Sequence, residues 1–328
     1  MQVPDTDRTS FRRLRTLLAE LEDLKRQQPA HYHQSIASAL FVESWKRLLA
    51  GEEAERVAIK ITTKAVVNIL LPGCDAHFVR EAGLSQADAT EIYQKALRES
   101  AQGRIASPLY ETLSTAIPAI AEEYFSDSLG YEMGEETFSA QAWFVDALCR
   151  QPRAGATKPG APRLLLIPPE MHSDHCLTTA VFAVLLSPLF EASVTKPFLA
   201  GLSHHLHNAV LPDCGFAGEM LLAPWLGSIM NRSRTRALAG LDDRLADTIR
   251  TGLATHEAID IAEGRAASAA DVFDRVLDVQ WRTRAANVKD EDILAELELV
   301  HAGPLKDFQT KLLAESGIWE AERSAATS

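Results

Sequence analysis

The chain has 328 residues, of which 46% are hydrophobic and 24% are charged, as in an ordinary globular protein. Acidic residues outnumber basic ones by 45 to 33, and the formal net charge is −12. Because broad nucleic-acid binding needs a positive surface, we expect no such function. No apolar run reaches the roughly 18 residues of a membrane span, and the N-terminus lacks the apolar core of a secretory signal, so we expect no membrane association. The four scattered cysteines form no Cys-x-x-Cys pair, which favours reduced thiols in a cytoplasmic protein.

Apolar residues recur at spacings of three and four along most of the chain, which predicts an all-α fold. Ser85 is an expected N-cap, with Asp88 in the first turn of the helix that follows it. The helices predicted in the first half cover 11–25, 30–49, 53–71, 85–100, 108–125 and 135–148.

The stretch RQPRAGATKPGAPR at 150–163 is rich in Pro, Gly and Arg and predicts a linker. The short apolar run LLLIPP at 164–169 favours an extended segment that ends at its two prolines. Helical periodicity then resumes and continues, with breaks, towards the C-terminus. We therefore predict an N-terminal helical region at 1–150, a linker at 151–163 and a second helical domain at 164–320.

The histidines are unevenly distributed. Six of the ten fall within a short part of the second half: His172, His175, His204, His205, His207 and His256. The other four are expected at the surface or in satisfied structural positions: His31, His33, His77 and His301. His31 and His33 are predicted to lie in a helix, where positions two apart face different ways.

Three segments of the second half combine histidines or aspartates with a buried apolar stripe. In MHSDHCLTTAVFAVLL, His172 and His175 are three apart and share a helix face. In PFLAGLSHHLHNAVL, His204 and His205 flank the apolar stripe of a predicted helix, and His207 is expected to face solvent or to support the others.

The third segment, at 269–281, places Asp271, Asp274 and Asp278 along one helix edge with Arg275 among them. A solvated, salt-bridged face explains Asp278 well. Small residues precede Asp271 and would let its helix pack closely, so this carboxylate is expected to point inward, where it needs a partner or a cation.

Taken in order, these segments resemble the HD superfamily of metal-dependent phosphohydrolases. The resemblance rests on a histidine that opens a helix (DHCLTTAVFA), a histidine doublet (GLSHHLHN) and a later Ala-Asp-x-x-Asp (AADVFD). The segment PDCGFAGE is also similar to the Gly-His-Ala-Gly-Glu of the deoxynucleoside triphosphate triphosphohydrolase branch. The resemblance covers about 170–285 and implies an HD-like helical bundle there, whereas 1–150 resembles no family that we can name.

Carried over by position, the resemblance implies a metal-ligand set of His175, His204, His205 and Asp271, with His172 as the alternative to His175. Two departures matter. His205 stands where the family has the aspartate of its His-Asp doublet, which puts a two-metal centre in doubt. Phe216 replaces a histidine, so the triphosphohydrolase substrate is not inherited. Three imidazoles and one carboxylate favour Mn, Fe, Ni or Zn over Mg or Ca.

Several supporting roles remain open between two interpretations. Glu219 is a candidate general base or an ordinary first-turn helix residue. His256 is a candidate further ligand, phosphate contact or proton carrier, or a histidine that interacts with a helix dipole. Four arginines are candidates for phosphate binding: Arg232, Arg234, Arg236 and Arg275. A solvated basic turn is the alternative for the first three.

The implied function is hydrolysis of a phosphoester or nucleotide by a metal-activated water. Two alternatives remain: a catalytically degenerate HD-like signalling or regulatory module, and an HD-type iron oxygenase, which would need further ligands such as His256. The expected partner is a small phosphorylated molecule or nucleotide, and the N-terminal region is a candidate surface for a protein partner or a homo-oligomer.

Overall fold

The computed structural model describes residues 8–126, 142–155, 167–286 and 305–317. In these ranges the chain forms helices and no strand, which confirms the all-α prediction; one isolated bridge joins Pro152 to Met171. The predicted segments 135–141 and 156–166, and His301, lie outside the described residues.

The first half contains seven α-helices and one 3₁₀ helix within the described ranges. In chain order these are α1 (Arg8–Leu21), η1 (Glu22–Lys25), α2 (Ile36–Leu49), α3 (Ala54–Asn68), α4 (Ala76–Glu81), α5 (Gln86–Ala101), α6 (Ser107–Glu123) and α7 (Trp143–Arg150).

The described part of the second half also consists of α-helices and short 3₁₀ helices. Its elements are α8 (His172–Leu186), η2 (Ser187–Phe190), α9 (Thr195–Ser203), η3 (Leu206–Ala209), α10 (Gly215–Leu238), α11 (Asp243–Glu257), α12 (Ala262–Ala286) and α13 (Lys306–Ser316).

Two helix starts show how local chemistry sets the boundaries. Ser85 caps α5 as predicted: its hydroxyl accepts the Asp88 N–H, and the Asp88 carboxylate accepts the Ser85 N–H in return. The prediction of a helix from residue 30 was wrong, because Ser35 is the N-cap of α2 and accepts the Ser38 N–H. His31 therefore lies in the connection before α2, where its ring is 3.1 Å from Asp75.

Helix α8 is the central element. All 15 of its residues are buried, and its composition is apolar around the whole circumference apart from its first turn. It packs against α2 and α3 of the first half and against α9 and α12 of the second. Its N-terminus is fixed by Asp174, which accepts the Met171 N–H at 3.0 Å and the Ser38 hydroxyl at 2.8 Å.

The span His172–Phe190 is also long and apolar enough to cross a membrane by length and composition. The span is not an uninterrupted apolar run, because Ser173, Asp174 and Thr178 lie within it. In the fold 89% of that window is buried, as in the core helix of a soluble protein, and such a helix passes the same composition test.

Helices from both halves share one buried apolar core. Phe11 of α1 packs edge-on against Phe190 and Phe273, with ring centroids 6.4 and 6.2 Å apart. Residues 151–155 are the described part of the predicted linker, and they are hydrogen-bonded to the chain at the start of α8. The Arg153 N–H donates to the Glu170 carbonyl, and the His172 N–H donates to the Gln151 carbonyl. The predicted division at 151–163 remains a prediction.

Candidate metal centre

The histidine doublet lies in a turn and not on a helix. α9 ends at Ser203, His204 is its C-cap, and His205 has φ −95° and ψ 15° before η3 begins. The prediction that His204 and His205 both lie on one helix was therefore wrong. Because the backbone leaves helical geometry here, the two neighbouring rings approach each other with centroids 4.2 Å apart.

His175, near the start of α8, completes a group of three imidazoles. Its ring centroid is 5.0 Å from that of His204 and 5.0 Å from that of His205. The Nε2 atoms of His175 and His204 are 3.0 Å apart, and one ring nitrogen of each of the three lies within 4.8 Å of the others. For an ion about 2.1 Å from each nitrogen, neighbouring ligand atoms are expected about 3–3.5 Å apart.

Each of the three imidazoles has its Nδ1 held by an acceptor. His175 Nδ1 donates to Asp274 Oδ2 at 2.5 Å, His204 Nδ1 to the Gly201 carbonyl at 2.7 Å, and His205 Nδ1 to Asn208 Oδ1 at 2.9 Å. In a neutral ring, this pattern places the proton on Nδ1 and leaves Nε2 as the atom with a free lone pair. Metal-binding histidines typically have such a partner on the other nitrogen.

Asp271 of α12 brings a carboxylate to the same place. Its Oδ1 is 3.3 Å from His175 Nε2 and 3.9 Å from His204 Nε2. Its Oδ2 is 2.9 Å from Arg275 Nη2. Burial raises the pKa of Asp271, but Arg275 and the nearby imidazoles outweigh that effect and lower it well below its ordinary value. Asp271 is therefore an anion with one oxygen directed at the histidines.

The charge state of the imidazoles suits a divalent cation. Burial and neighbouring imidazoles lower the pKa of His204 and of His205 well below the ordinary value, so both rings are neutral at pH 7. The Nε2 atoms of His175 and His204 lie 3.0 Å apart, and Asp271 Oδ1 lies 3.3 Å from His175 Nε2. Neutral imidazoles are the form that binds metals, and three such nitrogens next to one carboxylate are a ligand set that a divalent transition metal accepts.

His256 lies beside this group. It is in the last turn of α11, and its ring stacks on that of His204 with centroids 4.9 Å apart and an interplanar angle of 11°. Its Nε2 is 3.8 Å from Asp271 Oδ2, and His204, His256 and Asp271 form a second group able to hold an ion. Within the described residues that buried Nε2 has no hydrogen-bond partner. The helix-terminus and ligand interpretations of His256 are therefore compatible.

A layer of buried charge surrounds the imidazoles. Asp274, which holds His175, also pairs with Lys25 of η1 at 2.7 Å. Lys25 reaches Glu170 at 2.7 Å, and Glu170 is 3.2 Å from Arg153. Burial raises the pKa of Asp274, but Lys25 and His175 reverse this and lower it. Sequence spacing places Asp274 on an aspartate-lined helix edge, but no sequence pattern indicates a role for Lys25, Glu170 or Arg153, because their pairs join distant parts of the chain.

The remaining histidine predictions had mixed outcomes. His172 is buried, with its ring centroid 4.9 Å from that of His205 and Nε2 3.5 Å from Asp213. Burial lowers its pKa to about 3. His207 was expected to face solvent or support the other histidines; it is buried, so the solvent-facing alternative was wrong, and its ring is 5.6 Å from His205. His207 turns inward because it belongs to η3 and not to a continuation of α9.

The candidate general base, the candidate phosphate-binding arginines and Asp278 have different surroundings. Glu219 lies half-buried in the first turns of α10, where burial and Asp213 raise its pKa. Arg275 contacts Asp271 directly. Arg236 lies over the Trp143 ring at 5.3 Å. The salt bridges predicted for Asp278 are present, to Arg26 and Arg282, but the solvent exposure predicted with them was wrong, because this residue is buried.

Comparison of the chain with family models, with curated proteins and with solved structures finds no match. The resemblance to the HD superfamily therefore rests on the sequence motifs alone, and it remains a prediction. The grouping of the imidazoles with Asp271 does not depend on that resemblance, because it is seen in the structure itself.

Proposed function

We propose that this protein is a metal-dependent hydrolase that acts on a phosphoester or nucleotide, with its ion held by His175, His204, His205 and Asp271. The observation that supports this most directly is the set of three imidazoles whose Nδ1 atoms are all occupied while an Nε2 pair approaches to 3.0 Å beside a carboxylate. Nitrogen ligands with one carboxylate favour Mn, Fe, Ni or Zn.

The chain's own groups supply the other parts of such a reaction. When bound, a divalent transition metal lowers the pKa of a water molecule towards neutrality. The Arg275 guanidinium, already directed at Asp271, is placed to hold a phosphate oxygen. His256 has a free ring nitrogen beside Asp271 and can accept a proton there. Glu219 remains a second candidate base because its raised pKa suits proton transfer.

One observation favours a second candidate, an iron oxygenase on the same scaffold. That function needs a ligand beyond the four, and His256 lies with His204 and Asp271 in a group able to hold an ion. Iron in the purified protein together with dioxygen-dependent turnover would select this alternative over hydrolysis.

Elemental analysis of the purified protein tests the proposal. We expect a stoichiometric transition metal in the wild type, its loss in His204→Ala, and its retention in His33→Ala, which removes an exposed histidine. With Mn²⁺ or Ni²⁺ added, wild type and the control should hydrolyse a generic aryl phosphate ester and His204→Ala should not. Absence of stoichiometric metal from a folded wild type would overturn the proposal and favour the degenerate signalling module.

A further inference from the structure

Lys25 is buried among three carboxylates beside the candidate metal centre. Its Nζ is 2.7 Å from Glu170 Oε1, 2.7 Å from Asp274 Oδ1 and 3.0 Å from Glu22 Oε2, and its side chain is 2% exposed. A buried ammonium is costly unless it is paired and hydrogen-bonded; here Nζ donates to Glu170 Oε1 and makes ion-pair contacts with Glu22 and Asp274. The arrangement is therefore closed around a single positive charge.

Two of these carboxylates, Glu170 and Asp274, belong to a group that could hold a metal ion. Glu170, His175 and Asp274 each offer a ligand atom within 4.8 Å of the others. This group shares His175 with the candidate metal centre, since Asp274 Oδ2 accepts from His175 Nδ1 while Asp274 Oδ1 faces Lys25. Two adjacent cation positions are thus joined by one Asp274–His175 pair.

An ammonium and a divalent ion cannot both use these oxygens. Carboxylate oxygens bind Mg²⁺ or Ca²⁺ at about 2.0–2.6 Å, a shell that the Lys25 Nζ already fills at slightly longer distances. A second positive ion would also have to enter within a few ångströms of a buried ammonium, where repulsion is strong.

We propose that Lys25 is a built-in cation that fills the second position, so that the centre takes one metal ion, and that it holds Asp274 in place on His175. This inference rests on the proposed function, because it assumes that the three imidazoles and Asp271 hold an ion. Lys25 is a positioning residue: it acts on the centre through Asp274 and does not touch the ion.

Lys64 provides a matched control elsewhere in the fold. It is also a buried lysine in an ion pair, 2.5 Å from Glu43, but that carboxylate is also paired with Arg47 at 2.8 Å. Removing Lys64 therefore removes a buried ammonium and leaves the carboxylate with another cation. Removing Lys25 leaves Glu22, Glu170 and Asp274 around an open oxygen-lined position.

The experiment measures bound Mn²⁺ per folded chain after saturation and removal of excess ion. We expect one ion in the wild type and in Lys64→Met, two in Lys25→Met, and one again in Lys25→Met/Glu170→Gln. Two ions in the wild type, or one in Lys25→Met, would overturn the inference and leave the proposed function standing. No ion in a folded wild type would overturn the proposed function itself.

Folding of Lys25→Met is followed by circular dichroism with and without Mn²⁺. If this variant is unfolded without added ion, the inference requires that Mn²⁺ restore its helix content, because a divalent cation then takes the place of the ammonium. Failure of Mn²⁺ to do so would overturn it.

Discussion

Single buried charges have large effects in this protein because they sit where water cannot screen them. Glu43 of α2 is an example in the first half. Its carboxylate is 2.5 Å from Lys64 Nζ and 2.8 Å from Arg47 Nη2. Burial alone raises the pKa of Glu43, but Lys64 and Arg47 outweigh it and lower the pKa from 4.5 to about 2. The charged form is therefore the one that stabilises the fold.

Glu43→Gln should remove a pH-dependent part of the stability. Because the folded-state pKa lies below the unfolded-state value, the contribution is present above pH 4.5 and is lost as the pH falls towards 2. The difference in unfolding free energy between wild type and Glu43→Gln should shrink by on the order of 3 kcal/mol across that window, at about 1.36 kcal/mol per pKa unit. Urea denaturation at several pH values measures it.

The exposed Glu55 supplies the control for this experiment. Glu55→Gln should follow the wild-type curve across the window. A constant offset between wild type and Glu43→Gln from pH 2 to 7 would show that the Lys64 and Arg47 contacts do not lower the pKa of Glu43 in the folded protein.

At the scale of elements, the crossing of α8 and α9 places His175 against the histidine doublet. The crossing is close because Gly201 faces the α8 backbone: a Cβ at Gly201 would lie 2.5 Å from Ala180 N and 2.8 Å from the Thr179 carbonyl carbon. Those are backbone atoms, so a side chain can be accommodated only if the helices separate. The carbonyl of Gly201 also accepts His204 Nδ1, so the spacing and the ring orientation depend on the same residue.

Gly201→Ala should therefore destabilise the fold by about 1–3 kcal/mol or more, as overpacking does, and should weaken metal binding. Gly227→Ala is the comparison, since a Cβ there meets nothing within 4 Å and Gly227 lies inside α10. It should stabilise by about 0.5–1 kcal/mol through helix propensity. Thermal denaturation of both variants measures whether each substitution lowers or raises stability, and metal titration measures the change in affinity. Stabilisation by Gly201→Ala would contradict the close packing of α8 and α9.

The same region shows what periodicity could and could not predict. The apolar stripe of α9 is strong enough to identify a helix, but the spacing of Leu199, Leu202 and Leu206 continues into η3, so nothing in it indicates that α9 ends at Ser203. Similarly, the helix predicted from residue 30 starts six residues later, since only the Ser35 side-chain bond marks the beginning. Helix existence follows from burial periodicity, whereas helix ends depend on single capping contacts.

At the scale of the whole molecule, the central group could be anticipated and its surroundings could not. Histidine spacing singled out His175, His204 and His205, and the structure brings these three together and places Asp271 beside the first two. Lys25 meets Asp274 across about 250 residues of sequence, and no local pattern marks a pairing of that range. Such contacts exist only once α1, η1 and α12 are packed.

This packing leads to a prediction about the proposed domain division. α8 is buried on all sides, and α2 and α3 cover part of its surface. A fragment of residues 164–320 alone would expose the surface of α8 that α2 and α3 cover, and it would leave Glu170 and Asp274 without the Lys25 ammonium that pairs with both. We expect this fragment to retain helix content but to unfold without a cooperative transition, as a molten globule does.

Far-UV and near-UV circular dichroism with thermal denaturation would measure this, with the intact chain as reference. Adding a fragment of residues 1–150 in trans should restore near-UV signal and metal binding, because it returns α2, α3 and Lys25 to the core. If the isolated fragment unfolds cooperatively and binds metal as the intact chain does, then the second half folds independently and the N-terminal contacts to α8 and Asp274 contribute little to the centre.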